Sequence, residues 1–322
     1  MKAVVTGVCG MDGSHMADLL VEKGDECIGV YRRSSRDNFS RIDHVKDKIR
    51  LEEGDICDAH YMSDLIGREK PDVVFNTAAQ SHVGTSFKQP ALTIDVNLNG
   101  VVNILEAIRN RSKDTRLIQC STSEMWGNRV DPDRKQRETT PFAPTSPYAV
   151  SKMAAYDLCK TYRKAYGIFA CSTICHNHTS PRRGDNFVEK KIINWVKANE
   201  EFLYSNLPVP NEAKLVLGNI NTTRDFGHSK DYVSAMYAMS KMSIARDYVV
   251  ATGVGTSIKE LLDKIFKLYN RDYKTCIRIS EEFYRPSEVD YLCGDSSLIQ
   301  KELGWKPEYT IDDIIKEMLY GC

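Results

Sequence analysis

No stretch of this chain repeats, none is of low complexity, and no apolar run is long enough to suggest a membrane span. No leader with a basic start and an apolar core opens it either, because Met1-Lys2 runs straight into Ala3-Val4-Val5-Thr6-Gly7. A cytoplasmic protein, with no membrane partner, is the expectation. The ten cysteines include no C-x-x-C pair and no metal-ligand spacing, so no metal site is expected. Cys9, Cys27, Cys57, Cys120, Cys171 and Cys175 lie in or beside apolar runs and read as small core residues in a reducing compartment. Net charge is also missing. Lys+Arg and Asp+Glu are both 44, which excludes a nucleic-acid binder held by bulk electrostatics and leaves phosphate binding to local basic clusters.

What is present is the pattern of a nucleotide-binding α/β protein. At 322 residues the chain predicts one large domain or two smaller ones. Lys2 to Thr6 reads as a strand, Met16 to Lys23 as a helix and Glu26 to Tyr31 as a second strand. Between the first two lies Gly7-Val8-Cys9-Gly10-Met11-Asp12-Gly13. Glycines at the first turn of a βαβ unit let a backbone approach a pyrophosphate that faces the helix N-terminus. Further strands are expected at 49–53, 72–76, 116–120 and 169–174, with a helix over 94–110 that turns Asn97 and Asn99 partly inward. This alternation predicts a doubly wound parallel (Rossmann) sheet. After Cys175 the composition changes to a polar, basic loop, a helix over 186–200 and a Pro-broken stretch. These features divide the chain into a dinucleotide domain, 1–174 plus 221–252, and a smaller discontinuous α/β substrate domain, 175–220 plus 253–322.

The second strand ends in Arg32-Arg33-Ser34-Ser35-Arg36, where an NAD-binding unit usually carries a carboxylate for the ribose. Arginines and hydroxyls suit a 2′-phosphate, so NADP is the expected cofactor, with Asp37 nearby as the counter-indication. Asp55, at a strand end, can meet an adenine amine or cap the helix that begins near Ala59. His82 reads as a structural histidine.

The reactive residues lie further on. Ser121-Thr122-Ser123-Glu124 sits at the carboxyl end of the fifth strand, the edge where open parallel sheets bind ligands. Tyr148 and Lys152 are four apart and share one helix face. A Lys ammonium beside a phenol is expected to lower its pKa, making Tyr148 a proton acceptor. Thr122 offers a hydroxyl to the same substrate oxygen, and Glu124 a carboxylate for a second proton. Taken alone, Y-x-x-x-K also fits a surface helix pair; the order of glycine loop, S-T-S-E and Y-x-x-x-K singles it out.

Together these motifs resemble the extended short-chain dehydrogenase/reductase superfamily and, within it, the GDP-mannose 4,6-dehydratase family. The resemblance runs over nearly the whole chain. It also rests on Ala79-Gln80-Ser81-His82-Val83, Asn177-His178, Ser180-Pro181-Arg182-Arg183-Gly184, Leu217-Gly218-Asn219, Arg224-Asp225-Phe226-Gly227-His228 and Arg285-Pro286 with Glu288-Val289. It implies a hydro-lyase that oxidises GDP-mannose at C4, eliminates the 6-hydroxyl and reduces C6, with NADP regenerated inside each cycle. Thr122, Glu124, Tyr148 and Lys152 would be catalytic. The cofactor would touch Gly7, Gly10, Met11, Asp12, Gly13, Arg32, Arg33, Ser34, Asp55, Ile56, Ala78, Gln80, Tyr148, Lys152, His178 and Arg183. The nucleotide sugar would touch Ser81, Glu124, Asn177, Lys191, Gly218, Arg224, Arg285 and Glu288.

The resemblance also implies a homo-oligomer. Either the Arg32-to-Arg41 loop crosses to a neighbour in a tetramer, or two helices of the cofactor domain, one carrying Tyr148, build a dimer. Two departures keep other substrates open, among them a GDP-linked heptose or N-acetylhexosamine. The segment 199–214 is longer than the family's connection, and Thr179 stands where the family often has Glu. A sugar-nucleotide epimerase or reductase is the rival on the same fold, and Glu124 argues against it. The intact set of four residues argues against a non-catalytic NADP-sensing protein.

Overall fold

The computed structural model describes residues 1–35, 38–205 and 207–321. The strands are β1 (Lys2–Thr6), β2 (Glu26–Tyr31), β3 (Arg50–Glu53), β4 (Val73–Asn76), β5 (Arg116–Cys120), β6 (Ala170–Cys175) and β7 (Tyr248–Val250). They form one seven-stranded sheet in the order β7-β6-β5-β4-β1-β2-β3. Every pairing is parallel. Strands covered on both faces must be apolar throughout, and Ala3, Val4, Val5, Val74, Phe75, Leu117 and Ile118 are wholly buried.

The main helices are α1 (Met11–Glu22), α2 (Ala59–Glu69), α3 (Pro90–Arg111), α4 (Pro147–Tyr166), α5 (Val188–Ala198), α6 (Ser229–Ser240), α7 (Ile258–Lys267) and α8 (Ile311–Tyr320). One face of the sheet is sealed by Met16, Ala17 and Leu20 of α1 with Val233, Met236 and Met239 of α6. The other is sealed by Leu65 and Ile66 of α2, Ile104, Leu105 and Ile108 of α3, and Ala155 and Cys159 of α4. The sheet is therefore doubly wound. Successive strands run outward from β1 through β2 to β3, and in the other direction through β4, β5, β6 and β7. The reversal lies between β1 and β4, and a crevice opens there at the strands' carboxyl ends.

Contrary to the sequence expectation, α3 is long and apolar enough, by length and composition, to cross a membrane. In this fold its apolar face is core, lying between α2 and α4. Its turn Asp95–Asn99 is π-helical. That turn buries Asn97 and leaves Asn99 exposed and bonded to Asp95, so only the first of the two faces inward.

A second hydrophobic cluster lies apart from the sheet. It joins Ile192, Ile193 and Val196 of α5, Leu261, Leu262, Ile265 and Phe266 of α7, and Ile314, Ile315 and Met318 of α8. The strand Leu215–Leu217 pairs in parallel with Ile277–Ile279 beside it. Ser257 caps α7 in a reciprocal box with Glu260. The helix expected over 186–200 divides into α5 and Glu200–Ser205. Leu203 and Val209, from the longer 199–214 segment, enter this second core. From the stretch 253–322, Ile299 and Trp305 pack in the sheet-side core, and the Trp305 indole donates to the Asp231 carbonyl at 2.9 Å.

Candidate functional site

The crevice begins at a polar ladder across three strand ends. Thr6 Oγ1 bonds Asn76 Oδ1, and Asn76 Nδ2 donates to Gln119 Oε1 at 2.7 Å, all of it buried. Beside it the glycine loop turns with Gly7 at φ +70°, backed so closely by Ala78 that a side chain would not fit. A Cβ on Gly13 would stand 2.3 Å from the Gly7 carbonyl oxygen. Gly10 precedes helix α1 as its cap residue and brings no capping side chain, so the first N–H groups of the helix are left for the crevice. An anion of diphosphate size fits this seat. Asp12 is in the same turn, but its carboxylate is turned aside to His178 and Ser229.

Arg32, Arg33 and Ser34 follow β2 and are exposed. Arg36 and Asp37 lie outside the described residues. Asp55 accepts from the Cys57 amide at 3.0 Å, and the cap of α2 is Asp58, so the capping alternative for Asp55 does not hold. Ile56 is a core residue under Gly100. Gln80 spends its side-chain amide on Thr93 and His82, and its backbone N–H donates to Asn97. His82 caps a short helix through Thr85 and is structural.

At the end of β5, Thr122 caps the turn Ser123–Trp126 and accepts from the Glu124 amide at 3.3 Å. Glu124 is buried, and its carboxylate lies 3.7 Å from Arg285 Nη1. Ser146 caps α4, with Pro147 at its first position, which sets Tyr148 and Lys152 one turn apart on the crevice side of the helix. Asn97 Nδ2 donates to Ser151 Oγ at 3.1 Å and fixes that face of α4.

The expected Lys-lowered phenol is not what the structure contains. Burial pushes the Tyr148 phenol above its ordinary range, and a hydrogen bond with Thr122 only partly offsets this. Lys152 is itself drawn down by burial and donates to the Cys120 carbonyl at 2.9 Å, so its ammonium is held by backbone.

Arg224, Arg285 and Arg183 fall into ion pairs. Arg224 is buried, 3.4 Å from Glu288 Oε1, and Arg285 reaches the same oxygen at 3.6 Å as well as Glu124. Arg183 pairs with Glu189 at 2.8 Å and covers the Phe187 ring. Lys191 Nζ stands 4.0 Å over Phe283, whose carbonyl closes on Gly218. Ser81 is exposed. Asn177 Oδ1 is buried without a partner and is free to bind a ligand group. Thr179 faces Met318 and a small apolar cavity with Phe226 and Ile265, so this departure is taken up by the second core.

Sequence reasoning missed Ser229, which bonds Asp12, and Tyr232, whose ring stacks on His178 at 4.3 Å. Both contacts join segments more than fifty residues apart, which no local pattern reports. It also passed over His176, a buried ring lying 5.5 Å from that of Trp126 with neither nitrogen hydrogen-bonded.

His176 carries a prediction together with His15. Burial draws both imidazoles down to about 3, from an ordinary 6.5. The unfolded chain takes up protons below about pH 6.5 while the folded one does not, so stability is lost as pH falls through that window. Each histidine contributes about 1.4 kcal/mol per pH unit, or roughly 2.7 kcal/mol for the pair at about pH 5.5. Raised groups such as His178 and Asp231 act in the opposite direction, so the difference between wild type and His176→Phe is the measure: in urea unfolding the variant should lose about 1.4 kcal/mol less than wild type between about pH 7.5 and about pH 5.5. The same pH dependence in both proteins contradicts the assignment.

Among the described residues no group of three or more His, Cys, Asp or Glu could hold a metal ion. The nine described cysteines are free thiols.

Three kinds of comparison agree with this architecture. The family model for GDP-mannose 4,6 dehydratase matches residues 4–318. The chain is 41% identical over 329 residues to GDP-mannose 4,6 dehydratase 1 of Arabidopsis thaliana, spanning 98% of this chain and 88% of that one. It is 39% identical to GDP-mannose 4,6-dehydratase of Vibrio cholerae, over 98% and 92% of the two chains. In fold it resembles the NAD complex of dTDP-glucose 4,6-dehydratase from Bacillus anthracis, with a TM-score of 0.83 at 22% identity over 99% and 95% of the chains. This chain belongs to the GDP-mannose 4,6-dehydratase family.

Proposed function

We infer that this protein is a dehydratase that converts GDP-mannose to GDP-4-keto-6-deoxymannose and water with a bound nicotinamide cofactor, NADP. The observation that carries the reading is Glu124. Its buried carboxylate stands in one turn with Thr122, at the strand edge that Tyr148 and Lys152 also border. A nicotinamide bound here would supply the hydride acceptor for C4 and the hydride donor for C6 of the sugar. The diphosphate seat at Gly7, Gly10 and Gly13 supports its binding, and Arg32, Arg33 and Ser34 support the phosphorylated form.

The chain's own groups handle the protons. Thr122 holds the sugar 4-oxygen and Tyr148 exchanges a proton with it. Accepting that proton requires the Tyr148 pKa to fall from its raised value, which takes cationic charge beyond Lys152, whose ammonium the Cys120 carbonyl holds; the positive ring of an oxidised nicotinamide would supply it. Oxidation at C4 acidifies the C5–H bond. Glu124 then removes the C5 proton and protonates the leaving 6-hydroxyl, one carboxylate serving as base and then acid, and C5 regains a proton as C6 is reduced, which balances the proton Tyr148 took from the 4-hydroxyl. Arg285 and Arg224, with Lys191 and Asn177, bind the nucleotide diphosphate and ribose, and Glu288 orients both arginines.

The protein assembles as a homo-oligomer in this reading. Leu92 and Ile94 of α3 and Val150 of α4 are exposed on two helices that pack side by side, which supports a helix-built dimer. The loop-mediated tetramer depends on Arg36, outside the described residues.

Incubation with a panel of nucleotide sugars, read by mass, tests the reading. The expected result is loss of one water from GDP-mannose with no net change in NADPH. A product of unchanged mass points to an epimerase instead, and water lost only from another sugar overturns the substrate.

A further inference from the structure

Asp12 poses an electrostatic problem: a carboxylate in the first turn of α1 adds negative charge beside the N–H groups that would hold a diphosphate. The fold meets it with His178. The His178 Nε2 lies 3.0 Å from each Asp12 oxygen, and its Nδ1 lies 2.8 Å from the His176 carbonyl oxygen. A carbonyl and a carboxylate only accept hydrogen bonds, so both ring nitrogens must carry a proton and the ring is an imidazolium.

We propose that His178 is a positioning residue for cofactor binding, whose charge cancels that of Asp12 so that the glycine turn can receive a diphosphate. The proposal rests on the nicotinamide-cofactor reading and adds to it a specific role for this pair.

The surroundings support the assignment. Ser229 Oγ donates to the same carboxylate, and the Tyr232 ring stacks on the imidazolium. Three segments meet here: the glycine turn, the strand His178–Thr179 and the start of α6. That strand pairs with Gly227–His228, which leads into Ser229. Burial alone would raise Asp12, but His178, Ser229 and Arg183 bring it well below the carboxylate range. Burial alone would lower His178, yet Asp12 raises it above 6.5, with Cys120 acting in the same direction. Of the other charged groups facing the pair, Lys152 is held by the Cys120 carbonyl, and His228 by Glu317 at 2.6 Å.

Two measurements test this. The first needs no cofactor. In nuclear magnetic resonance spectra of the free protein, His178 should titrate above 6.5 and fall in Asp12→Asn. Titration at or below that value overturns the proposal and leaves the cofactor reading standing.

The second follows NADPH binding by fluorescence. Two unit charges about 10 Å apart at an effective dielectric near 20 interact by about a factor of ten in binding, so His178→Gln should weaken binding about tenfold near neutral pH. Wild-type affinity should decline as pH rises through the raised His178 pKa and the imidazolium loses its proton, and the variant should not follow that curve. Asp12→Asn combined with His178→Gln should bind more tightly than His178→Gln alone, because the repelling charge is gone with its partner. A double variant as weak as the single one makes the role purely structural and overturns the proposal. Failure of the wild type to bind NADPH overturns both this proposal and the cofactor reading.

Discussion

Glu124→Gln is expected to abolish water loss from GDP-mannose while leaving substrate binding nearly intact. Glutamine keeps the shape of the side chain and can still hydrogen-bond, but it cannot take the C5 proton. A positioned general base contributes about 10²- to 10⁴-fold, and here one group serves twice, so turnover should fall by at least about 10³-fold. The surroundings should survive the change. Arg285 loses its partner at 3.7 Å but retains Glu288 at 3.6 Å, so no buried cation is left alone. Binding measured by calorimetry should therefore shift by less than about fivefold. Exchange of the C5 hydrogen with heavy water, which the wild type should catalyse, should vanish with the dehydration. Turnover within a few-fold of wild type would falsify the role given to Glu124, and with it the reading that separates this enzyme from epimerases.

The parts of the site legible in the sequence are those set by local chemistry. The glycine spacing at 7, 10 and 13 was readable because only glycine tolerates the φ at Gly7 and the close approach at Gly13. The placing of Tyr148 and Lys152 was readable because residues four apart share one face of a helix. The strands were readable because parallel strands buried on both faces are short, continuous apolar runs. What could not be read depends on distant partners. Nothing near Lys152 announces that its ammonium would be held by the Cys120 carbonyl, or that burial would outweigh it at Tyr148. The pairing of Asp12 with Ser229 spans 217 positions. Thr179 and the 199–214 segment looked like changes in the pocket, but their contacts belong to the second core, with Met318 beside one and Leu203 and Val209 supplied by the other. They therefore give no support to a different sugar.

Replacing Arg32 and Arg33 together with glutamine is expected to convert a strong preference for NADP into near indifference. Both side chains are exposed at the end of β2, with Ser34 beside them, at the edge of the crevice where a dinucleotide's adenosine end would lie. An arginine paired with a phosphate makes charge-assisted hydrogen bonds of about 1.5–3 kcal/mol each. Even at the low end of that range, losing two such bonds should weaken NADP binding by about 10²-fold. NAD has a hydroxyl in place of the phosphate and never makes these bonds, so its affinity should change by less than about threefold. The contrast separates a phosphate contact from a structural role, because arginines that only shaped the loop would weaken both cofactors together. Salt gives a second discriminator. Binding of NADP to the wild type should weaken as ionic strength rises, and that dependence should flatten in the double variant. Parallel titrations with the two cofactors decide the matter, and equal losses for NADP and NAD refute the assignment of these arginines to the 2′-phosphate.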